Sequence, residues 1–469
     1  MGPRRRHGPA RRRSGRHDRQ GVPRNPAHCT DTPDGGGKSS SLALDKNKPI
    51  NMIYTGVAAW SRLGWLPRKA FEHFCGASTE DFGALSVTTR PVQGQTRVIV
   101  SAGQLSQQGR SRMTQVQTIS DLTPSTFTMP DGRLLHLYGD YSGTPEWPRA
   151  KAVRESGFSH RRWHPVRREW VVYSAHRQTR TYKPVTDACP LCPQAPDGEI
   201  PVKDFSIAVF DNRFSSFQKI CPKPASLALG LPIDSAAGNC EVIVYSTDHK
   251  ASMSTLSQDR RKLLVKVWGD RVRALMRMQA VQFVMPFENR GEEAGVTLHH
   301  PHGQIYAFSY LPPVIETMAQ SFREGYDLTK LTSSATHEVS QTKSMVAVVP
   351  PYARFPYEVW IIPKSFRPSP ADLTTNEVGD CARLLAQVAK RYDTIFNRAC
   401  PYVMIVYAAP RGMEDYFPFH IQFYPLLRAP KQLKFLAGCE LGAGSFLVDI
   451  LPETAAKTLR DVRVEDIHE

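Results

Sequence analysis

Leu298-His299-His300-Pro301-His302-Gly303-Gln304-Ile305-Tyr306 places three histidines within four residues and fixes the backbone between them with a Pro and a Gly. The β-branched and aromatic residues that follow mark a strand, and on a strand residues i and i+2 share a face. His300 and His302 then point the same way. One imidazole can bind a metal while the other attacks a substrate.

Working outward, the same pattern occurs twice. Glu241 to Tyr245 reads as a strand, Leu256 to Met278 as a helix with Leu263, Leu264, Val267, Trp268, Val272 and Leu275 at helical spacing, and Gln282 to Met285 as a second strand. The His-Pro-His strand closes this first unit. The second runs through the strand Glu358 to Ile362, a helix from about Asn376 to Phe396, the strand Tyr402 to Val406 and the strand Phe419 to Tyr424. The expected fold is α+β, with two duplicated halves whose antiparallel sheets join into one larger sheet and whose helices pack on it. Only the first half carries His-Pro-His, so the chemistry is expected there. The predicted segments are a leader 1–112, an irregular lead-in 113–158, a catalytic half 159–335 and a C-terminal half 336–469.

The 469 residues are 41% hydrophobic, enough for a sizeable core, and no apolar run is long enough to span a membrane. The net charge of +16 suggests nucleic acid, but its distribution argues otherwise. Residues 1–112 hold 19 Lys and Arg against 7 Asp and Glu, which leaves 41 against 37 for the remainder. The surplus belongs to a leader rich in Arg, Gly and Pro, which is expected to be disordered. That leader reads either as a nucleic-acid tail or as a stretch outside the working protein, with Met113 as the true start; the second reading is preferred. It lacks the apolar region of a secretory signal. The nine cysteines are odd in number and irregularly spaced, which points to a reducing cytoplasm and a metal site in place of a disulfide framework.

Cys189-Pro190-Leu191-Cys192 supplies two thiolates of a tetrahedral set. His300 is the candidate third ligand, and His249, just past the first strand, the fourth. With four protein ligands the metal would be structural: zinc by preference, with iron accepting the same donors. His302 is left to face the substrate as a nucleophile, its second ring nitrogen keeping its proton on a backbone carbonyl. Gln304, on the same face, offers an amide donor to a phosphate oxygen and is a poor proton donor. Gly291 and Gly295 flank a turn ending at Thr297, a candidate anion nest. Arg177 and Arg180 can neutralise phosphate charge. Asn212 and Asn289 stand just past strands, in settings that also suit a turn-forming Asn.

With His300-Pro301-His302-Gly303-Gln304, Phe287-Glu288-Asn289, Cys189-x-x-Cys192, Phe423-Tyr424-Pro425 and Lys434-Phe435, the chain resembles the galactose-1-phosphate uridylyltransferase family, of the histidine-triad superfamily, from about His160 to Arg460. The resemblance implies a ping-pong exchange of a uridylyl group between UDP-glucose and galactose 1-phosphate through a uridylylated His302. Asn212, Asn289, Thr297 and Gln304 match nucleotide and phosphate positions. Arg177, Arg180, Lys434, Phe435, Gly438 and Glu440 match substrate-binding positions, some of them reaching a neighbouring subunit's site, which implies a homodimer. Some members hold a second metal; here only His420 of that set is clear, with Gln422 beside it, so no second site is expected. Thr297 stands for a common Ser, Arg213 for an acidic residue and Phe446 for an amide. The alternative reading is a related phosphorylase acting on another nucleotide sugar, such as ADP-glucose.

Overall fold

Period-two alternation of apolar residues sets the strands and a 3.6-residue stripe sets the helices. The computed structural model describes residues 85–92, 95–102, 122–147, 157–179, 189–196, 198–227 and 229–464. In chain order the elements are β1 (Leu85–Val92), β2 (Gln95–Ala102), β3 (Ser125–Thr128), β4 (Leu134–Ser142), β5 (His160–His164), β6 (Glu169–Tyr173), β7 (Asp204–Asp211), β8 (Ile233–Ser235), β9 (Gly238–Val244), α1 (Gln258–Met276), β10 (Phe283–Arg290), β11 (His302–Phe308), α2 (Pro313–Arg323), β12 (Glu338–Gln341), β13 (Met345–Val348), β14 (Val359–Pro363), α3 (Thr375–Ile395), β15 (Tyr402–Tyr407), β16 (His420–Pro425), β17 (Leu427–Ala429), β18 (Gln432–Leu433) and α4 (Pro452–Asp461).

Residues 1–114 and 115–469 form two separate units. Within the first, β1 and β2 pair as an antiparallel hairpin, from Leu85 opposite Ala102 to Val92 opposite Gln95. The expectation of a leader without structure therefore fails for these two strands. Val87, Thr88, Thr89, Val98, Ile99 and Val100 are β-branched, and such residues fit a pleated ladder. The remaining residues of 1–112, and Met113, lie outside the described residues.

In the second unit one eleven-stranded sheet runs in the order β12-β13-β14-β16-β15-β10-β11-β9-β7-β4-β3. Every pair in it is antiparallel. The expected joining of two sheets into one is what the ladder shows. β9-α1-β10-β11 and β14-α3-β15-β16 share one connectivity, and in each the last strand lies between the first two. These two halves of the sheet meet at β10 and β15, where Phe287 faces Ile405 and Arg290 faces Tyr402.

The expectation of an irregular stretch over 113–158 is corrected at 125–142. β3 and β4 turn on Asp131-Gly132 and extend the main sheet, with Leu135 and Leu137 fully buried. The register slips between Tyr138 and Tyr141 at a bulge. Gly139 sits there at φ +72°, where a Cβ would lie 2.8 Å from the Ser206 side chain, so a bulge that only Gly tolerates broke the alternation the sequence reading relies on.

α1 and α3 cover one face. Ser257 caps α1 by accepting from the Arg260 amide, and Thr374 with Glu377 forms a capping box on α3. Leu264, Val267, Trp268, Leu384, Leu385 and Val388 pack with Ile305 and Ala307 of β11 in the largest core cluster. Truncating a fully buried Leu such as Leu264 costs about 2–5 kcal/mol. Polar bonds lock the two helices together: Gln258 Nε2 donates to Gly379 O at 2.8 Å, and Arg261 Nε to Ala382 O at 3.0 Å. On the opposite face α2 contributes Ile315, Ala319 and Phe322 to a second cluster with Phe283, Phe308 and Phe417. A three-stranded sheet, β6-β5-β8, stands apart from the main one.

Candidate active site

β11 alternates half-buried His302, Gln304 and Tyr306 with buried Gly303, Ile305 and Ala307. His302 and Gln304 line a cleft, while Ile305 and Ala307 pack against the helices. Gly303 is required: a Cβ there would lie 2.3 Å from the Tyr245 hydroxyl and 2.7 Å from Phe287 O. β11 is thereby seated tightly between β9 and β10. Behind it lies the buried carboxyl of Glu288, which accepts from Tyr402 Oη at 2.9 Å; burial pushes its pKa up to about 7.

His302 Nδ1 lies 2.7 Å from the His300 carbonyl. A carbonyl only accepts, so Nδ1 carries the proton and Nε2 keeps its lone pair. Burial lowers the pKa of His302, against a smaller opposing effect of that bond, and this favours the neutral ring.

The expectation that His300 shares a face with His302 fails: β11 begins at His302, so the i, i+2 rule does not reach His300, which is turned the other way. Its Nε2–H donates to Ser246 O at 2.7 Å, and its Nδ1 lies 3.5 Å from Cys192 Sγ. His249 Nδ1 is 3.4 Å from the same sulfur, and its ring stands at 89° to that of His300. The donor atoms of Cys189, Cys192, His249 and His300 all lie within 4.8 Å of one another. Two sulfurs and two imidazole nitrogens at such spacing fit a closed tetrahedral metal site, and the Ser246 carbonyl orients one ligand from outside it. Without a cation, burial and then the neighbouring Cys189 push the Cys192 thiol up to about 11. The four expected ligands are thus brought together.

A cleft of about 680 Å³ is lined by Arg177, Asn212, Asn289, Thr297, His302 and Gln304, among others. Six positions singled out in the sequence share this one space, while Arg180 lies outside the described residues. Arg177 Nη1 bonds to Ser216 Oγ and reaches Tyr306 Oη at 3.3 Å. Tyr306 Oη donates to Gln304 Oε1 at 3.2 Å, so the amide NH2 is the end of Gln304 left for a ligand. Asn212 Oδ1 accepts from Phe214 N at 2.8 Å, which makes Asn212 a turn former as well as a lining residue. Gly295 is left-handed at φ +79° and lines the cleft beside Thr297. Tyr306 and Ser216 were missed in the sequence. Tyr306 could have been found, since it continues the i, i+2 series from His302; Ser216 has no such signal.

Lys434, Phe435, Gly438 and Glu440 do not line this cleft. They follow β18. Lys434 Nζ pairs with Glu440 Oε1 at 2.5 Å, and the Glu440 carboxylate also accepts from the Ala437 and Leu447 amides. Phe435 is 69% exposed.

The model of the galactose-1-phosphate uridyl transferase N-terminal domain matches residues 150–312, and that of its C-terminal domain matches 319–469. The chain belongs to the galactose-1-phosphate uridylyltransferase family. The galactose-1-phosphate uridylyltransferase of Thermotoga maritima is 36% identical over 317 residues, spanning 65% of this chain and 98% of its own. That of Saccharomyces cerevisiae is 30% identical over 349 residues, spanning 66% and 95%. A solved uridylyltransferase structure superposes with TM-score 0.58 at 28% identity, covering 64% of this chain and 97% of its own. The structure of an ADP-glucose phosphorylase from Arabidopsis thaliana with bound ADP-glucose, at TM-score 0.50 and 21% identity over 65% and 99% of the two chains, shows a shared fold.

Proposed function

We propose that this family member transfers a uridylyl group between UDP-glucose and galactose 1-phosphate in two displacements at His302. The bond from His302 Nδ1 to the His300 carbonyl carries this reading, because it leaves Nε2 as a neutral nucleophile on the cleft face. Nε2 attacks the α-phosphorus, a P–N bond forms, and the bond to the bridging oxygen breaks to release glucose 1-phosphate. A phosphate oxygen of galactose 1-phosphate then attacks the same phosphorus, breaks the P–N bond and leaves as UDP-galactose. Arg177 neutralises phosphate charge, and Gln304, oriented by Tyr306, donates to a phosphate oxygen without supplying a proton for hydrolysis. Asn212, Asn289 and Thr297 line the nucleotide's place, and Arg180 is assigned with Arg177.

Cys189, Cys192, His249 and His300 hold a structural metal, which we take to be zinc, with iron accepting the same donors. It would clamp the Cys-x-x-Cys loop to the strand that carries His302. The two like-connected units are read as a histidine-triad duplication. Lys434, Phe435, Gly438 and Glu440 are assigned to the cleft of a partner in a homodimer; the exposure of Phe435, Leu441 and Leu451 supports this. The described cysteines are all free, in keeping with a cytoplasmic enzyme. Among the described residues no helix is long and apolar enough to cross a membrane.

Intact mass after mixing with UDP-glucose and no acceptor tests the route. The wild type should gain one uridylyl group and H302A none. An adduct on H302A would remove His302 from the mechanism, and an adduct formed from ADP-glucose in preference to UDP-glucose would favour the phosphorylase alternative.

A further inference from the structure

We propose that Glu199 recognises the ribose of the nucleotide, held for that task by Arg133 and Arg213. The lining of the cleft is of two kinds: His302, Gln304, Arg177 and Thr297 suit phosphate, while Leu191, Pro196, Phe210 and Phe214 supply the apolar walls a base requires. Glu199 and Arg213 line the cleft with these apolar residues.

Arg213 Nη2 bonds to Glu199 Oε1 at 2.9 Å, and Arg133 Nη2 bonds to Glu199 Oε2 at 2.7 Å. Asp131 pairs with Arg133 at 2.8 Å, so the cluster of two guanidiniums and two carboxylates is neutral. Arg213 is therefore not a phosphate clamp, in contrast to Arg177, whose Nη1 bonds are to the hydroxyls of Ser216 and Tyr306. A neutral wall suits hydroxyls. A carboxylate has about four lone-pair sites, and one guanidinium on each oxygen leaves about two, the number of protons a 2′,3′-diol donates. The carboxylate is also rigidly placed: its side chain is 12% exposed, and the Glu199 amide donates to Pro190 O at 2.9 Å, inside the Cys-x-x-Cys loop. Arg133 Nη1 bonds to Asp211 O at 2.9 Å, next to Asn212.

The inference rests on the uridylyl-transfer reading, so its test is a binding measurement that needs no turnover. Calorimetry on the full-length, metal-loaded protein compares UDP with 2′-deoxy-UDP. The wild type should prefer UDP by about 10- to 100-fold, the range of a charge-assisted hydrogen bond. E199Q should lose most of that preference through weaker UDP binding, with 2′-deoxy-UDP changed by no more than a few-fold. Equal weakening of both ligands in E199Q would make Glu199 a mere salt-bridge anchor and overturn the proposal. So would a wild type that does not distinguish them. CDP serves as a third ligand: if E199Q alters the ratio of UDP to CDP and leaves the deoxy ratio alone, the carboxylate reads the base edge and the ribose assignment is wrong. Should E199Q lose its metal, R213A is measured in its place. It leaves Glu199 on Arg133 alone and should lose part of the deoxy preference; an unchanged ratio overturns the proposal equally. Absence of a uridylyl adduct on the wild type would fail the parent reading and leave these binding ratios interpretable.

Discussion

β11 carries His302-x-Gln304-x-Tyr306 and β16 carries His420-x-Gln422-x-Tyr424, and the two sets are wired alike. His302 Nδ1 bonds to a carbonyl two residues back at 2.7 Å, and His420 Nδ1 does the same to Pro418 O at 2.9 Å. In each, the Tyr hydroxyl bonds to the Gln carbonyl oxygen. They differ in what covers them. His302 opens on a cleft, whereas His420 is fully buried, stacked on Tyr407 at 4.9 Å and on Trp360 at 5.5 Å, with its Nε2 taken by Gln422 Nε2 at 3.0 Å. One constellation thus opens an imidazole on a cleft in one half and buries it as a core residue in the other. Access and a free lone pair separate them.

The strongest test of that contrast is to remove each histidine. H302A should lower UDP-glucose to galactose 1-phosphate exchange by about 10⁴-fold or more. H420A should keep kcat within a few-fold and lose thermal stability. If H420A proved as inactive as H302A while still folded, the division of labour would be wrong.

Among the described residues the candidate metal set belongs to the half that carries β11 and has no counterpart in the half that carries β16. C192S should release the metal, measured by elemental analysis, and reduce kcat by at least about 10-fold, because the strand that carries His302 loses its clamp. Unchanged activity in a metal-free protein would detach the clamp from the chemistry.

The buried histidine predicts an acid-labile core. Burial lowers the pKa of His420 to about 4, against about 6.5 when unfolded. Below about 6.5 the unfolded chain binds a proton that the native one refuses. Stability from this group is complete above that pH and is lost as pH falls toward 4, by up to about 3 kcal/mol. Urea midpoints between about pH 4 and 7 should therefore fall less steeply in H420F than in the wild type.

The smallest effects concern the tyrosines. Y306F should reduce kcat by about tenfold or less with little change in stability, because it frees the Gln304 amide from its tether. Y424F should leave kcat alone and cost about 1 kcal/mol of stability, read from the same urea curves.

Much of this was legible in the sequence, since the signals were local. The β-α-β-β repeat shows as apolar periodicity, and the observed α3, Thr375–Ile395, falls within a residue of the expected helix. The metal donors sit on a Cys-x-x-Cys loop and at strand ends, positions that spacing alone can pair. β3 and β4 were not legible, because the bulge at Gly139 interrupts their alternation and their partner β7 is distant in sequence. Glu199 was missed for a related reason: Arg133, Glu199 and Arg213 meet only in three dimensions. Lys434 to Glu440 were assigned by resemblance, and their place outside the cleft of their own chain follows from a segment that ends beyond the main sheet.

A ladder that continues unbroken through β10 and β15 leaves no hinge in the sheet between the half that carries β11 and the half that carries β16. Ligands of the cleft enter and leave past the loops at the strand ends, over a floor that one continuous ladder holds together. Substitutions aimed at speed are expected to act at those loops and not in the sheet, a difference that turnover rates of loop and strand variants will read.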